Sequence, residues 1–287
     1  MSKPAVIVAT SHVVRGSVGG RAAVFALERM GFPVWSLPTV ILPWHPGQGG
    51  STRLSHEPGD FAAAAGEIAT AAGIGEVVAM FTGYLGSAAQ LEPLAVLVAA
   101  LKVRNRAAVY LCDPVIGDAA GLFQPEALAN ELRTRLIPMA DIATPNRHEL
   151  AWLTGTSAED NGLLVAAARS LGAGEVVVTS AFAPEGEIGT LLVTAGDAHL
   201  ATHRKLPNVS HGTGDLFAAL YLGHRLDGIA AIVALERAAA SVLRVIEHAA
   251  KTKADQLPLA DAQETFLAAP TGVTVRPVAA ARGRHPA

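Results

Sequence analysis

The sequence has one cysteine, Cys112, among 287 residues, so no internal disulfide framework is available, which fits a reducing compartment. It has no excess of positive charge. Its 22 Lys and Arg stand against 25 Asp and Glu, a formal net charge of −3, and the electrostatic footprint of a nucleic-acid binder is missing. The longest uncharged stretch, residues 30–52, is broken by Pro33, Pro38, Pro43 and Pro46 and does not read as a membrane span. Met1-Ser2-Lys3-Pro4-Ala5 passes straight into Val6-Ile7-Val8, which is not a signal-peptide layout. There is no Gly-x-x-x-x-Gly-Lys-Ser/Thr phosphate loop and no Gly-x-Gly-x-x-Gly after the first apolar run. His12, His45, His148 and His211 are scattered rather than set at metal-ligand spacing, which disfavours zinc. These absences lead to the expectation of a soluble, cytoplasmic globular protein with no nucleic-acid or membrane partner.

What is present is a chain that is 51% hydrophobic, long enough for a core that needs no staples. Short apolar runs at 5–9, 34–37, 76–81, 108–111, 142–144 and 175–179 read as buried strands. Alanine- and leucine-rich segments at 21–30, 61–71, 88–104, 125–136 and 163–171 read as helices between them. Parallel strands need crossover helices, so this alternation predicts a doubly wound, mostly parallel sheet with helices on both faces. Residues 190–194 and 198–203, joined by Ala195-Gly196-Asp197, read as a hairpin, and 215–226, 230–248 and 259–267 as a helical last third. No linker or internal repeat is visible. One domain over 1–277 is expected, with 278–287 as a frayed tail rich in Gly, Pro, Ala and Arg.

In such sheets ligands bind beyond the carboxyl ends of the strands. The strongest signal there is His211-Gly212-Thr213-Gly214-Asp215, where two glycines precede a helix and converging amides meet the positive helix end. Asp215 beside an anion site acts as a base, positions a metal, or simply caps the helix. Asp113 and Asp118 flank Pro114-Val115-Ile116-Gly117 and suit Mg²⁺, or else bond their own backbone in a turn. Asn146 and Glu149, three apart at a helix start, face a ligand together, or Glu149 is a favourable first-turn acid. Cys112 reads as a small core residue rather than a nucleophile.

Together the motifs resemble those of the pyridoxal kinases of the ribokinase-like superfamily. The matching segments are Ser11-His12-Val13-Val14-x-Gly16, Thr39-Val40, Gly83-Tyr84-Leu85-Gly86-Ser87 and Cys112-Asp113-Pro114-Val115-x-Gly117-Asp118. They continue with Thr144-Pro145-Asn146-x-x-Glu149, Thr179-Ser180 and Gly212-Thr213-Gly214-Asp215. The resemblance implies a ribokinase-like fold with a minimal lid and ATP-dependent phosphorylation of the 5′-hydroxymethyl of pyridoxal, a vitamin B6 salvage reaction. It implies Asp215 as the base and the amides of Gly212, Thr213 and Gly214 as the anion hole. Asp113, Asp118 and Glu149 would organise Mg²⁺ and phosphates. Asp113, Thr144, Asn146, Glu149, Thr179, Ser180, Gly212 and Gly214 would contact ATP or a monovalent cation, K⁺ or Na⁺. Ser11, Val40, His45 and Tyr84 would join Asp215 around the vitamin, and a homodimer is implied.

Three positions depart from the family pattern. His45 is followed by Pro46 where the family has a His-Thr pair, removing a hydroxyl and an N–H from the loop over the vitamin. Arg15 replaces an aromatic residue, and Gly20 a common Asn. The glycine-rich stretch 47–59 reads as a mobile cover. The competing readings are a hydroxymethylpyrimidine or sugar kinase of the same superfamily, or a non-catalytic vitamin-binding protein. Intact Asp215 and its glycine turn argue against the last.

Overall fold

The computed structural model describes residues 3–157, 159–207, 209–268 and 271–279. The chain opens with β1 (Ala5–Val13), α1 (Gly20–Arg29) and β2 (Val34–Leu42), then β3 (Leu54–Ser55), α2 (Pro58–Thr70), β4 (Val77–Thr82), α3 (Leu91–Arg104) and β5 (Val109–Cys112). A two-stranded flap, β6 (Gly117–Asp118) and β7 (Gly121–Leu122), precedes α4 (Glu126–Arg135), β8 (Ile142–Ala143), α5 (Arg147–Thr154) and α6 (Asn161–Ser170). A meander of β9 (Glu175–Ala181), β10 (Glu187–Thr194) and β11 (Ala198–Arg204) follows. The described chain closes with α7 (Thr213–Leu226), α8 (Ala231–Thr252), α9 (Leu259–Ala262) and β12 (Thr274–Pro277).

Ten strands form one sheet in the order β12-β11-β10-β9-β8-β5-β4-β1-β2-β3. The six strands from β9 to β2 are mutually parallel, while β10, β11, β12 and β3 are added at the edges by antiparallel pairing, each with its neighbour. Both faces are covered, which is why the central strands read as unbroken apolar runs. Along β1, Val6 and Val8 enter the core on one face while Ile7 and Ala9 enter the other. α7 packs between α1 and α8, and Leu216 through His224 are all buried, which accounts for a helix apolar on every side. Among the described residues no helix is long and apolar enough to cross a membrane.

The structure departs from the sequence expectations at several places. β1 extends to Val13, so Ser11 and His12 belong to the strand rather than following it. Its pairing with β2 skips register between Thr10 and His12, opposite Pro38, and then resumes. β12 adds an edge strand on β11, and the Val278 N–H donates to Ala198 O at 2.8 Å. The remaining expected tail, 280–287, lies outside the described residues. The chain winds from β1 outward to β2 and β3, then resumes at β4 on the other side of β1. That reversal opens a crevice at the carboxyl end of β1.

Candidate active site

Gly212 occupies the N-cap position of α7 in the left-handed conformation, φ 98°. A Cβ there would overlap the Ser17 carbonyl oxygen in the loop after β1, so glycine alone permits this approach. No side chain caps the helix, leaving its first-turn amides and positive end available to an anion. Asp215 is the third residue of α7 and not its cap, which removes the capping alternative. It is partly buried, and burial pushes its pKa up to about 6 against the downward pull of the Gly19 amide and its own amide.

Thr213 and Gly214 open onto a cavity of about 390 Å³ between β9–β11, α7 and α8. Thr179 and Ser180 line its rim, Phe217, Val242 and Ile246 give it an apolar wall, and Lys205 supplies a cation. Ser180 has φ 54°, a strained conformation for a non-glycine residue, at the junction with a neighbouring cleft of about 560 Å³. Asp118, Asn146, Arg147 and Lys205 line that cleft.

Asp113, just past β5, is buried, and its pKa is driven well above the carboxylate range by burial and then by the charges of Glu149 and Asp215. The fold therefore gathers three carboxyl groups at the ends of β5, β8 and the glycine turn. Glu149 has a structural task as well. Its Oε2 accepts from Asn146 N at 2.8 Å, and its Oε1 accepts from Ile116 N at 2.8 Å and Gly117 N at 3.3 Å. Asn146 completes the capping box by accepting from His148 N and Glu149 N, and its Nδ2 donates to Gly117 O. The pair thus staples the Asp113–Asp118 loop to the start of α5. Burial raises Glu149 to about 7, offset by those three amides.

Asp118 is exposed, and its Oδ1 accepts from Ala120 N at 2.8 Å, the backbone turn weighed against a metal role. Among the described residues no three His, Cys, Asp or Glu side chains are arranged to hold a metal ion. Asp113, Asp118 and Glu149 therefore do not form a ready cage. The Thr144 hydroxyl is buried close to Asp113 without a well-formed hydrogen bond, and Asp113 is crowded by like charges, so this corner suits a hydrated cation bridging to phosphates.

Val18, which approaches Gly212, forms an apolar patch with Val13, Val40 and Leu42, and Tyr84 packs against it. The Thr39 hydroxyl donates to Tyr84 O at 2.6 Å. Gln90 accepts from Gly86 N and donates to Thr39 O, pinning the Gly83–Ser87 segment to β2. Ser11 is nearly buried at the end of β1. His45, in the loop after β2, stacks on His211, ring centroids 3.9 Å apart at 22°.

The chain is 36% identical over 277 residues to "Pyridoxal kinase PdxY" of Rubrobacter xylanophilus, covering 94% of this chain and 96% of that protein. The chain belongs to the pyridoxal kinase family. A family model described as phosphomethylpyrimidine kinase matches residues 64–260. Among solved structures, pyridoxal kinase from Entamoeba histolytica superimposes with a TM-score of 0.89 at 20% identity, covering 96% of this chain and all of that one. Pyridoxal kinase from Leishmania donovani, in complex with ADP and pyridoxamine, gives 0.88 at 24% identity over 96% and 99% of the two chains. The protein is a kinase with the ribokinase-like fold.

Sequence reasoning missed several residues that the fold brings to this region. His211 counted as a scattered histidine although it stands next to the glycine turn. Lys205 and Arg147 had no motif of their own, and only their positions after β11 and at the start of α5 point to them. Arg53, whose guanidinium donates to the Tyr84 hydroxyl at 2.9 Å, lay unnoticed in the loop after β2.

Proposed function

We propose that this chain transfers the γ-phosphoryl group of ATP to the 5′-hydroxymethyl of pyridoxal. Asp215 carries the proposal. It is a carboxylate poised near neutrality in the first turn of an uncapped helix, where Thr213 and Gly214 open onto one cavity and Gly212 approaches Val18 of an apolar patch faced by a tyrosine. Phosphoryl transfer asks mainly for alignment and charge stabilisation, which a rigid turn between two binding regions provides. Asp215 takes the proton of the substrate hydroxyl as the oxygen attacks phosphorus. The amides of Gly212, Thr213 and Gly214 hold the transferring group. The apolar wall at Phe217 and Val242 receives the base of ATP, while Thr179, Ser180 and Asn146 follow its phosphates. Val40 and Tyr84 sandwich the pyridine ring, with Ser11 as its polar partner and His45 covering it.

Mg²⁺, which neutralises phosphate charge in such reactions, would be held by Asp113 beside Thr144, with Glu149 and Asp118 acting through water. A monovalent cation, K⁺ or Na⁺, near Thr144 and Ser180 and a homodimeric assembly complete the proposal. The ADP and pyridoxamine of the Leishmania neighbour support the nucleotide and vitamin assignments. A second reading, phosphorylation of a pyrimidine acceptor such as hydroxymethylpyrimidine, draws support from the matching family model, which is described as phosphomethylpyrimidine kinase. ATP turnover with pyridoxal, hydroxymethylpyrimidine and fructose side by side separates them. Pyridoxal is expected to give the highest kcat/KM, and a clear preference for either other acceptor overturns the proposal.

A further inference from the structure

We propose that His211 is a positioning residue that stacks on His45 to hold the loop between β2 and α2 closed over the acceptor, and so sets acceptor affinity without entering the chemistry. This rests on the vitamin-kinase reading above.

The loop has little to hold it. Its regular structure is a single turn, Pro46–Gln48, and the two-residue β3, and nearly every residue from Gln48 to Glu57 is exposed. Beyond the Arg15 N–H donated to Pro43 O at its start, its ties to the body fall into two groups. Near its far end, Ser55 and Leu54 pair with Val40 and Ile41, and the His56 ring meets Pro38 O. Arg53 donates to the Tyr84 hydroxyl and, at 3.4 Å, to Gly86 O. Those contacts fasten the loop to β2 and to the segment after β4.

The other tie is different in kind, because it reaches the catalytic turn. The His45 and His211 rings lie face to face, 3.9 Å between centroids. The Gly47 N–H donates to His45 Nδ1 at 3.0 Å, which fixes the ring's tilt and leaves Nδ1 unprotonated. A Cβ at Gly47 would lie 2.9 Å from both His211 Nε2 and His45 Nδ1, so the loop backbone folds tightly around the stacked pair. Burial and then the neighbouring His211 hold the His45 pKa below the usual histidine value, which keeps His45 neutral and the stack unopposed near neutral pH. Three residues, the glycine turn Gly212-Thr213-Gly214, separate His211 from Asp215. The stack therefore registers the cover against the base, while His211 itself remains exposed.

The test compares wild type with His211→Ala and His211→Phe. Phenylalanine preserves a flat face for His45 but has no ring nitrogen. His211→Ala is expected to raise KM for pyridoxal roughly three- to tenfold, the worth of an aromatic pair, with kcat within about threefold of wild type. His211→Phe is expected to recover most of that loss. Without any ligand, brief trypsin treatment at pH 8 should cut after Arg53 several times faster in His211→Ala than in the other two proteins.

An unchanged KM in His211→Ala, a loss confined to kcat, or a phenylalanine variant as impaired as the alanine one overturns the proposal. Equal cleavage at Arg53 in all three proteins does so too. Should His211→Ala fail to fold, His211→Phe and His211→Asn carry the same comparison. The cleavage assay needs no substrate, so it decides the positioning role even if pyridoxal proves not to be the acceptor.

Discussion

Replacing Asp215 by Asn should make this protein a far worse enzyme and a more stable one. The native state holds the Asp215 proton with a pKa of about 6, against 3.8 for the unperturbed group. A carboxyl raised in this way contributes most to stability at low pH. That contribution is lost as pH rises from 3.8 to about 6, and above pH 6 the native state carries the full cost of the desolvated charge. The two-unit difference corresponds to about 3 kcal/mol. Asp215 is only partly buried, so solvent screening reduces this to roughly 1–2 kcal/mol. Asparagine keeps the shape and removes the charge. At pH 7.5 Tm should rise by roughly 2–6 °C for a chain of this size, and the gain should vanish near pH 4. Turnover should fall by about 10²–10⁴, the range for a lost general base, with pyridoxal affinity largely retained. In wild type, kcat/KM should fall about tenfold per pH unit below about pH 6. Calorimetry across pH and a coupled ATP assay read both effects. Near-normal turnover, or a pH-independent change in Tm, would refute the assignment of a strained base at this position.

Three other substitutions probe the neighbouring parts. Pro46→Thr restores a hydroxyl and an N–H to the cover loop and should lower KM for pyridoxal about fivefold, the equivalent of about 1 kcal/mol for one net hydrogen bond, as read from initial rates. Glu149→Gln cannot accept at both ends of its side chain. It should weaken the clamp between α5 and Ile116–Gly117, destabilising the fold by roughly 1–3 kcal/mol in urea melts and raising KM for ATP more than KM for pyridoxal. Gly212→Ala forces a Cβ against Ser17 O in a left-handed backbone, so both melting temperature and turnover should drop. An alanine variant with wild-type kcat would show that the turn is not held against β1.

The parallel core was legible because burial on both faces leaves a strand no polar positions, so runs such as Val6-Ile7-Val8 and Val176-Val177-Val178 announce themselves. The glycine turn was legible for a related reason, since close backbone approach permits few residue types. What the sequence concealed is pairing over distance. Asp113 and Asp118 look equivalent when read along the chain, yet one is buried among carboxyl groups and the other turns back to Ala120 in solvent. Glu149 reads as a first-turn acid or as a ligand-facing one, and its first-turn capping role was visible. That its other oxygen holds Ile116, 33 residues earlier, was not. β12 was hidden because an edge strand needs backbone partners more than an apolar pattern, and Thr274-Val275-Arg276-Pro277 has almost none. His45 and His211, separated by more than half the chain, meet only because the sheet places the loop after β2 beside the turn before α7. Local motif spacing therefore marks the candidate residues, while the winding of the sheet determines which of them meet.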